Sequence, residues 1–348
     1  MPAKARLQYL DWLRGLAVLL MIQVHVTDSF LGEDLRTTAW YRFSQYVGGW
    51  AAPLFLFMAG ISLALVFDRL REKGASANDL AKKAVMLGGW ILLLAYAFRV
   101  EQVLVWFPYA PWSDVLKVDI LNCIGVSYIL AGVVAVRRSP AVLIVIAAAL
   151  ALTTPVIAPT RGGIVLDYLH GNGHANYFPI FPWAAYTFAG VAVGYLLLNA
   201  RKQGQEWKFL TGCAAVGGAL VYLGYAINRR PALLFGLADY SRYSPHYVFA
   251  KMGYVLALML GAYLWMKRPR ADRWSPMLIF GQTSLLIYWL HIEFVYGRLR
   301  FFKNTLGVGA TVAQLLWLIP LMLGIAVTRL RWKAKRVVVR DSVSVASV

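Results

Sequence analysis

Long apolar segments are the feature that most limits what this chain can fold into. Ten stretches of about 17 to 23 residues carry few charges, and each is long enough to cross a hydrocarbon core of about 30 Å. Because a backbone inside lipid must satisfy its own hydrogen bonds, spans of this length fold as α-helices. The sequence therefore predicts an all-α polytopic membrane protein with about ten transmembrane helices. The predicted spans cover residues 7–26, 47–67, 84–106, 118–136, 140–156, 179–198, 209–227, 247–266, 277–296 and 308–330.

The composition agrees with a membrane protein and argues against other classes. Of 348 residues, 60% are hydrophobic and 15% charged, and the mean hydropathy of +0.59 is too high for a soluble domain. The net charge of +19 is spread over short loops, which disfavours a nucleic-acid partner. Cys123 and Cys213 both fall inside predicted spans, so neither a disulfide framework nor a zinc site is expected. We predict one transmembrane domain over residues 1–336 and a disordered cytoplasmic tail over 337–348.

The distribution of basic residues predicts the orientation in the membrane. Most of the 35 Lys and Arg residues lie in segments that face inward if the N-terminus is cytoplasmic. The positive-inside rule then places both termini in the cytoplasm, in a multi-pass protein of the cytoplasmic membrane. The first apolar run lacks a small-residue cleavage site, so we interpret it as a retained helix. Aromatic residues near span ends, such as Tyr41, fit an interfacial belt.

Arg14 and His25 are two ionisable residues inside the first apolar span. Eleven positions at about 100° each bring both side chains to nearly the same helix face, about 16.5 Å apart along the axis. An ionisable group at that depth is costly, which makes function the first hypothesis. A free imidazole titrates near neutral pH, which suits His25 to proton abstraction from a hydroxyl or amine. Alternatively, it hydrogen-bonds a neighbouring helix or reaches the outer headgroups.

The spacing of Arg14 and His25 fits a long, thin, anionic cofactor. Arg14 stays protonated and suits a phosphate, or it only pairs with Asp11 three residues earlier. With phosphates held near the cytoplasm and the reactive end at the far leaflet, coenzyme A has the required shape. Asp28 follows His25 by three residues and either orients its ring, contacts the substrate or is solvated in the outer loop.

Two further spans contain candidate polar residues. His291 and Glu293 lie in the ninth span, two positions apart, so they do not share a helix face. We expect His291 either to meet the helix that holds His25 or to fill a polar pocket. In the fourth span, Asp119 is expected to anchor the helix N-terminus, and Asn122 could donate a hydrogen bond to a carbonyl.

The outer loops give weaker signals. His170 and His174 have the spacing of a helical metal pair, but the glycines between them disfavour a helix and no metal site is predicted. The loop after the seventh span is basic, and it either holds an anionic or sugar acceptor or is merely solvated. Its basic residues are Arg229, Arg230, Arg242 and His246.

Several segments together resemble a known family. Residues 10–17, which open a first helix containing His25, resemble the heparan-alpha-glucosaminide N-acetyltransferase-like family, and the Arg-x10-His spacing is similar to that of the related acyltransferase-3 membrane proteins. Further similar segments follow in order, so the resemblance runs from about residue 10 to about residue 330. They are residues 52–62, 119–125, 181–183 with Gly190 and Gly194, and 281–293.

The resemblance implies a multi-pass acyltransferase that passes an acetyl group from cytoplasmic acetyl-CoA to a sugar on the far side. The Arg-x10-His pair corresponds to Arg14 and His25, and the late His-x-Glu segment to His291 and Glu293. One departure concerns the first helix. The family's glucosamine enzyme has asparagine where this chain has His25, and a histidine in the following loop. Residues 27–46 contain no histidine, so His25 itself would be the base and the acceptor stays open.

The resulting hypothesis is an acetyl-CoA-dependent membrane acetyltransferase without a metal. His25 is the base or is itself acetylated, His291 and Asn122 orient it or polarise the carbonyl, and Arg14 with Asp11 binds the donor. Asp28 and Glu293 are assigned to the substrate. The expected partners are the lipid bilayer and a sugar or glycan acceptor, and a homodimer is compatible with the sequence.

Two other functional classes compete with this hypothesis. A transporter or flippase for a lipid-linked sugar or small anion would also use helices with buried Arg and His, although no inverted repeat is evident. A non-catalytic scaffold leaves the cost of the buried ionisable residues unexplained. Movement of substrate without consumption of acetyl-CoA would favour the transporter.

Overall fold

The helical prediction is confirmed in a computed structural model. It describes residues 7–157, 164–170, 177–229, 244–269, 274–297, 299–300 and 302–346, and over these ranges it contains helices and no strand apart from an isolated bridge between Leu31 and Leu306. Within the same ranges nine helices are long and apolar enough to cross a membrane, or ten if one bent pair counts as a single span.

The helices follow the predicted spans closely, with two short 3-10 helices at Glu33–Thr37 and Trp112–Leu116. Two residues separate the end of α2 from the start of α3, and the two helices together count as one candidate span. The helices are α1 Gln8–Phe30, α2 Ala39–Gly48, α3 Ala51–Glu72, α4 Ala77–Val105, α5 Ile120–Ala135, α6 Pro140–Ile157, α7 Ile164–His170, α8 Ile180–Lys202, α9 Glu206–Arg229, α10 Pro245–Met266, α11 Pro276–Gln282, α12 Ser284–Val295 and α13 Val308–Ala346.

The ninth predicted span is broken into two helices. Helices α11 and α12 meet at an angle of 92°, and Thr283 lies between them with non-helical φ and ψ of −121° and 15°. The Thr283 hydroxyl donates to the Ile279 carbonyl at 2.9 Å, which satisfies a carbonyl near the end of α11. Because apolar residues continue on both sides of the bend, hydropathy predicts a single helix here and does not detect the break.

The chain divides into two compact units. One comprises the residues up to Ala51 together with those from Ala262 onward, and the other comprises Ala52–Gly261. The first contains α1, α2, α11, α12 and α13, and the second contains α3 to α9 and most of α10. Helix α13 continues to Ala346, across the region where the sequence predicts a disordered tail. The assignment of residues 1–336 to a single functional domain stays a prediction.

Helix α1 is the centre of the first unit, and two glycines set its distance from α11. A Cβ on Gly15 would lie 1.9 Å from the Met277 carbonyl oxygen, and a Cβ on Gly281 would lie 1.9 Å from the Asp11 carbonyl oxygen. Only glycine permits this close backbone contact. Farther along α1, the Ser29 hydroxyl donates to the Val295 carbonyl at 2.7 Å. Helix α11 therefore packs on the N-terminal half of α1 and α12 on its C-terminal half.

In the second unit, α8 packs closely on α3 and an ion cluster joins their ends. A Cβ on Gly190 would lie 2.1 Å from the Phe57 carbonyl oxygen. Asp68, almost fully buried, lies 3.1 Å from the Lys202 ammonium and 3.6 Å from the Arg138 guanidinium. This pairing offsets the cost of a buried carboxylate and fixes the end of α3 against α8.

Candidate active site

His25 and His291 form a hydrogen-bonded pair in the first unit. His25 Nδ1 lies 2.9 Å from His291 Nε2, although the residues are 266 positions apart. The rings are nearly parallel, at 4°, with centroids 5.2 Å apart. A long centroid separation with a short N···N distance places the rings edge to edge rather than face to face. His291 is 0% exposed and His25 is half-buried, so the predicted contact between His291 and the first helix is present.

A backbone carbonyl determines which nitrogen of each ring carries a proton. His291 Nδ1 lies 2.8 Å from the Ile287 carbonyl oxygen, and since a carbonyl only accepts, Nδ1 must be the donor. In a neutral His291, Nε2 is then the acceptor, so His25 Nδ1 donates to it. A neutral His25 therefore has its lone pair on Nε2. Among the residues that the structure describes, this nitrogen has no hydrogen-bond partner.

Tyr296 links His25 to Asp28. The Tyr296 ring lies edge-on to the His25 ring, with centroids 5.5 Å apart, and its hydroxyl donates to Asp28 Oδ2 at 3.2 Å. The Tyr41 hydroxyl donates to the other carboxylate oxygen of Asp28 at 3.4 Å. Asp28 thus accepts from two tyrosines, and one of them, Tyr296, packs on the imidazole. Its assignment to the substrate stays a prediction.

The loop before α13 fixes the C-terminal end of α1. Arg36 donates from Nη2 to the Asp28 carbonyl at 2.5 Å and to Asn304 Oδ1 at 2.9 Å. The backbone N–H of Asn304 donates to the Ser29 carbonyl at 3.0 Å, and the backbone N–H of Leu306 donates to the Phe30 carbonyl at 2.9 Å. These bonds satisfy carbonyls at the end of the helix and hold the segment that follows His25.

Arg14 is paired with Asp11 on the same uninterrupted helix as His25. Arg14 Nη1 lies 3.1 Å from Asp11 Oδ1, and the side chains are 25% and 6% exposed respectively. The pairing considered from the sequence is therefore present. It holds the guanidinium in place and partly balances its charge. Binding of a phosphate by Arg14 stays a prediction.

Glu293 lies on α12, two positions after His291. Its side chain is half-buried, and its carboxylate lies next to Gly297, where a Cβ would come within 2.4 Å of Oε2. The carboxylate thus lies near the C-terminal end of α12, and its two-residue offset from His291 places it on a different face of the helix.

Asn122 belongs to the second unit, where it caps helix α5. The backbone N–H of Asp119 donates to Asn122 Oδ1 at 3.2 Å, and the backbone N–H of Asn122 donates to Asp119 Oδ1, also at 3.2 Å. The side-chain amide of Asn122 donates to the Tyr168 hydroxyl at 3.0 Å. Asp119 lies 3.3 Å from the Arg99 guanidinium, and the Tyr168 hydroxyl contacts that of Tyr96. Asp119 anchors the helix N-terminus as expected, and Asn122 completes a capping box.

Tyr168 stays protonated within this network. Burial raises the pKa of the Tyr168 hydroxyl above its ordinary value. The hydroxyl can therefore accept from Asn122 while donating its own proton to Tyr96. Each side-chain polar atom of Asn122 has a partner, which is typical of a structural residue.

A family model for the catalytic domain of heparan-alpha-glucosaminide N-acetyltransferase matches residues 6–227 of this chain. The chain belongs to this family. The match covers well over half of the 348 residues, and a search among curated proteins finds no match. Together with the apolar helices, membership in the heparan-alpha-glucosaminide N-acetyltransferase family indicates a multi-pass membrane acetyltransferase.

The family match covers only part of the candidate site. Arg14, His25 and Asp28 lie inside the matched range, whereas His291 and Glu293 lie beyond its end at residue 227. The contact between His25 and His291 therefore rests on the structure. It joins the first helix of the family region to a helix outside it.

The remaining predicted residues lie away from the histidine pair along the chain. His170 is buried at the end of α7, and His246 Nδ1 lies 2.7 Å from the Ser244 hydroxyl. His174, Arg230 and Arg242 lie outside the described residues. No group of three His, Cys, Asp or Glu side chains that could hold a metal occurs in the described part of the chain.

Sequence analysis missed two residues that support His25. Tyr296 lies at the end of a predicted span, where a tyrosine is normally assigned to the interfacial belt. Arg36 lies in a polar loop, where a solvated side chain is expected. For Tyr296, its position five residues after His291, in the same polar segment as Glu293, is the one signal that could have singled it out.

Proposed function

We propose that this protein transfers an acetyl group from acetyl-CoA to a hydroxyl or amine of a sugar or glycan, with His25 as the base. One observation carries the proposal: the hydrogen bonds from His25 through His291 to the Ile287 carbonyl leave the basic nitrogen of His25 at Nε2. Membership in an acetyltransferase family supports the same chemistry.

In this proposal, His25 Nε2 accepts the acceptor's proton as its oxygen or nitrogen bonds to the thioester carbonyl carbon. The carbon–sulfur bond then breaks, and the imidazolium returns the proton to the departing thiolate. His291 acts as a positioning residue, because its Nε2 accepts from His25 Nδ1 in both protonation states of His25. A positioned base of this kind contributes about 10²- to 10⁴-fold in rate. Attack by Nε2 itself, through an acetyl-histidine, would use the same tautomer.

Donor binding is assigned to Arg14. A guanidinium suits a phosphate, and Asp11 holds it on the helix that carries His25. The basic residues predict a plasma-membrane protein with both termini on the cytoplasmic side. In that orientation Arg14 lies in the cytoplasmic leaflet and His25 in the far one. Asp28 and Glu293, on the two helices of the histidine pair, are assigned to the acceptor.

The test is acetyl transfer from labelled acetyl-CoA to a panel of amino sugars and glycan fragments in proteoliposomes. We expect His25→Ala to lose at least about 10²-fold in turnover. The matched control is His246→Ala, which removes a histidine from the second unit and should keep wild-type turnover. Full activity of His25→Ala would remove the proposed base.

A transporter or flippase for a lipid-linked sugar or small anion is the second candidate. The 92° break between α11 and α12 supports it, since broken helices are typical of transporter binding sites. The same proteoliposomes separate the candidates. Movement of a labelled lipid-linked sugar without release of free coenzyme A would favour the transporter, whereas acetyl-CoA consumption that depends on His25 would favour the transferase.

A further inference from the structure

An apolar groove of about 740 Å³ lies along α13, next to α12. On α13 its lining residues recur every three or four positions, so they form one stripe along the helix. The residues that line the groove include Leu286 of α12 and Pro320, Gly324, Ile325, Arg329 and Trp332 of α13.

The groove has the length of one lipid chain in a single leaflet. From Pro320 to Arg329 the helix rises nine residues, or about 13.5 Å, and half of a hydrocarbon core measures about 15 Å. Gly324 recesses the helix surface near the middle of the groove, and a Cβ there would meet no other atom within 4 Å. An extended acyl chain fits this apolar stripe.

A cation and an indole lie at one end of the groove. The Arg329 guanidinium is exposed and lies 4.8 Å from the centroid of the Trp332 ring. In the part of the chain that the structure describes, no carboxylate forms a salt bridge with Arg329. Arg331, Lys333 and Lys335 follow and are also exposed. Guanidinium groups bind phosphates, and clusters of basic residues near the membrane surface attract anionic lipids.

We propose that this groove binds an anionic phospholipid, with one acyl chain along Gly324 and Leu286 and the headgroup phosphate on Arg329. The apolar stripe and the cation at its end together match the two parts of such a lipid. The proposal concerns lipid binding alone and does not depend on acetyl transfer. A second copy of the chain seated on the same stripe is the competing occupant, and the tests below distinguish it.

The first test measures lipid retained by the full-length protein in native mass spectrometry, with phosphatidylglycerol and phosphatidylcholine offered separately. We expect Arg329→Gln to lower phosphatidylglycerol retention about five-fold and to leave phosphatidylcholine retention unchanged. Arg331→Gln removes the same charge two positions away, outside the groove lining, and should lower phosphatidylglycerol retention clearly less than Arg329→Gln does. Equal losses in both variants, or equal retention of the two lipids by the wild type, would overturn the proposal.

The second test fills the groove. Gly324→Leu places a side chain in the open space and should abolish retention of phosphatidylglycerol, whereas Gly309→Leu, on the same helix and also in open space, should not. Equal melting temperatures would show that both variants fold. If Gly324→Leu instead dissociates a dimer and leaves lipid retention intact, the groove belongs to a second copy and the proposal is wrong.

Discussion

Two buried polar clusters within predicted membrane spans use their hydrogen bonds differently. Around Asn122, the side-chain oxygen and nitrogen both have partners, and the bonds close the N-terminus of α5. Around His25, the bonds run in one direction: His25 Nδ1 donates to His291, and His291 donates to the Ile287 carbonyl. In the first arrangement each polar side-chain atom of Asn122 is held by a structural partner, whereas the second directs the His25 Nε2 lone pair away from its partner. A costly buried polar group therefore indicates function only when its hydrogen bonds leave a reactive atom accessible.

Among the substitutions that test this difference, the largest loss of turnover is expected at His291. His291→Leu removes the acceptor for His25 Nδ1, so the ring can rotate or change tautomer, and we expect turnover to fall about 100-fold. His291→Gln places a side-chain oxygen where Nε2 lies and should recover part of the lost turnover. Acetyl transfer in proteoliposomes, normalised to folded protein, measures both variants.

A merely structural role of His291 would give a different pattern. In that case His291→Leu would lower the melting temperature and leave turnover per folded molecule near wild type. The histidine pair would then be a buried polar contact of the same kind as the Asn122 network.

A smaller effect is expected at Tyr296. Tyr296→Phe keeps the ring against His25 and removes the hydroxyl that donates to Asp28, so we expect turnover to fall only about three- to ten-fold, as for the loss of one ordinary hydrogen bond. Tyr222→Phe, at an exposed site on α9, is the matched control and should have no effect. A loss as large as that of His291→Leu would mean that Asp28 and Tyr296 position the base more strongly than His291 does.

The fold follows from local signals, and the site follows from them only in part. Hydropathy and length predict the spans, because each helix satisfies its own backbone inside lipid. The break at Thr283 is not predicted, since α11 and α12 are both apolar and the packing of Gly15 against Met277 and of Gly281 against Asp11 involves distant positions of the chain.

The helical period predicts that Arg14 and His25 share one face of a helix. The partner of His25 is 266 residues away, and the sequence predicts the contact of His291 with the first helix only as one of two alternatives. Which nitrogen carries the proton depends on the Ile287 carbonyl, and no residue type encodes that hydrogen bond. Tyr296 and Arg36 were missed because their ordinary roles, in an interfacial belt and a solvated loop, explain them equally well.

The smallest effect on activity is expected at Asn122, which the sequence assigned to catalysis. Asn122→Ala removes the capping box of α5 and the bond to Tyr168, so we expect a loss of about 1 to 2 kcal/mol in the free energy of unfolding. Turnover per folded molecule should stay within a few-fold of wild type. Thermal unfolding in detergent and acetyl transfer in proteoliposomes measure the two quantities separately.

Asn122→Asp keeps the oxygen that accepts from the Asp119 amide and adds a charge beside Asp119, so it should restore the cap less well than asparagine and still leave turnover near wild type. If Asn122→Ala instead loses turnover about 100-fold with unchanged unfolding, the side-chain amide acts on the reaction despite its complete set of partners. The direction of hydrogen bonding would then fail as a criterion, because a residue that caps a helix in this chain would be as reactive as the histidine pair.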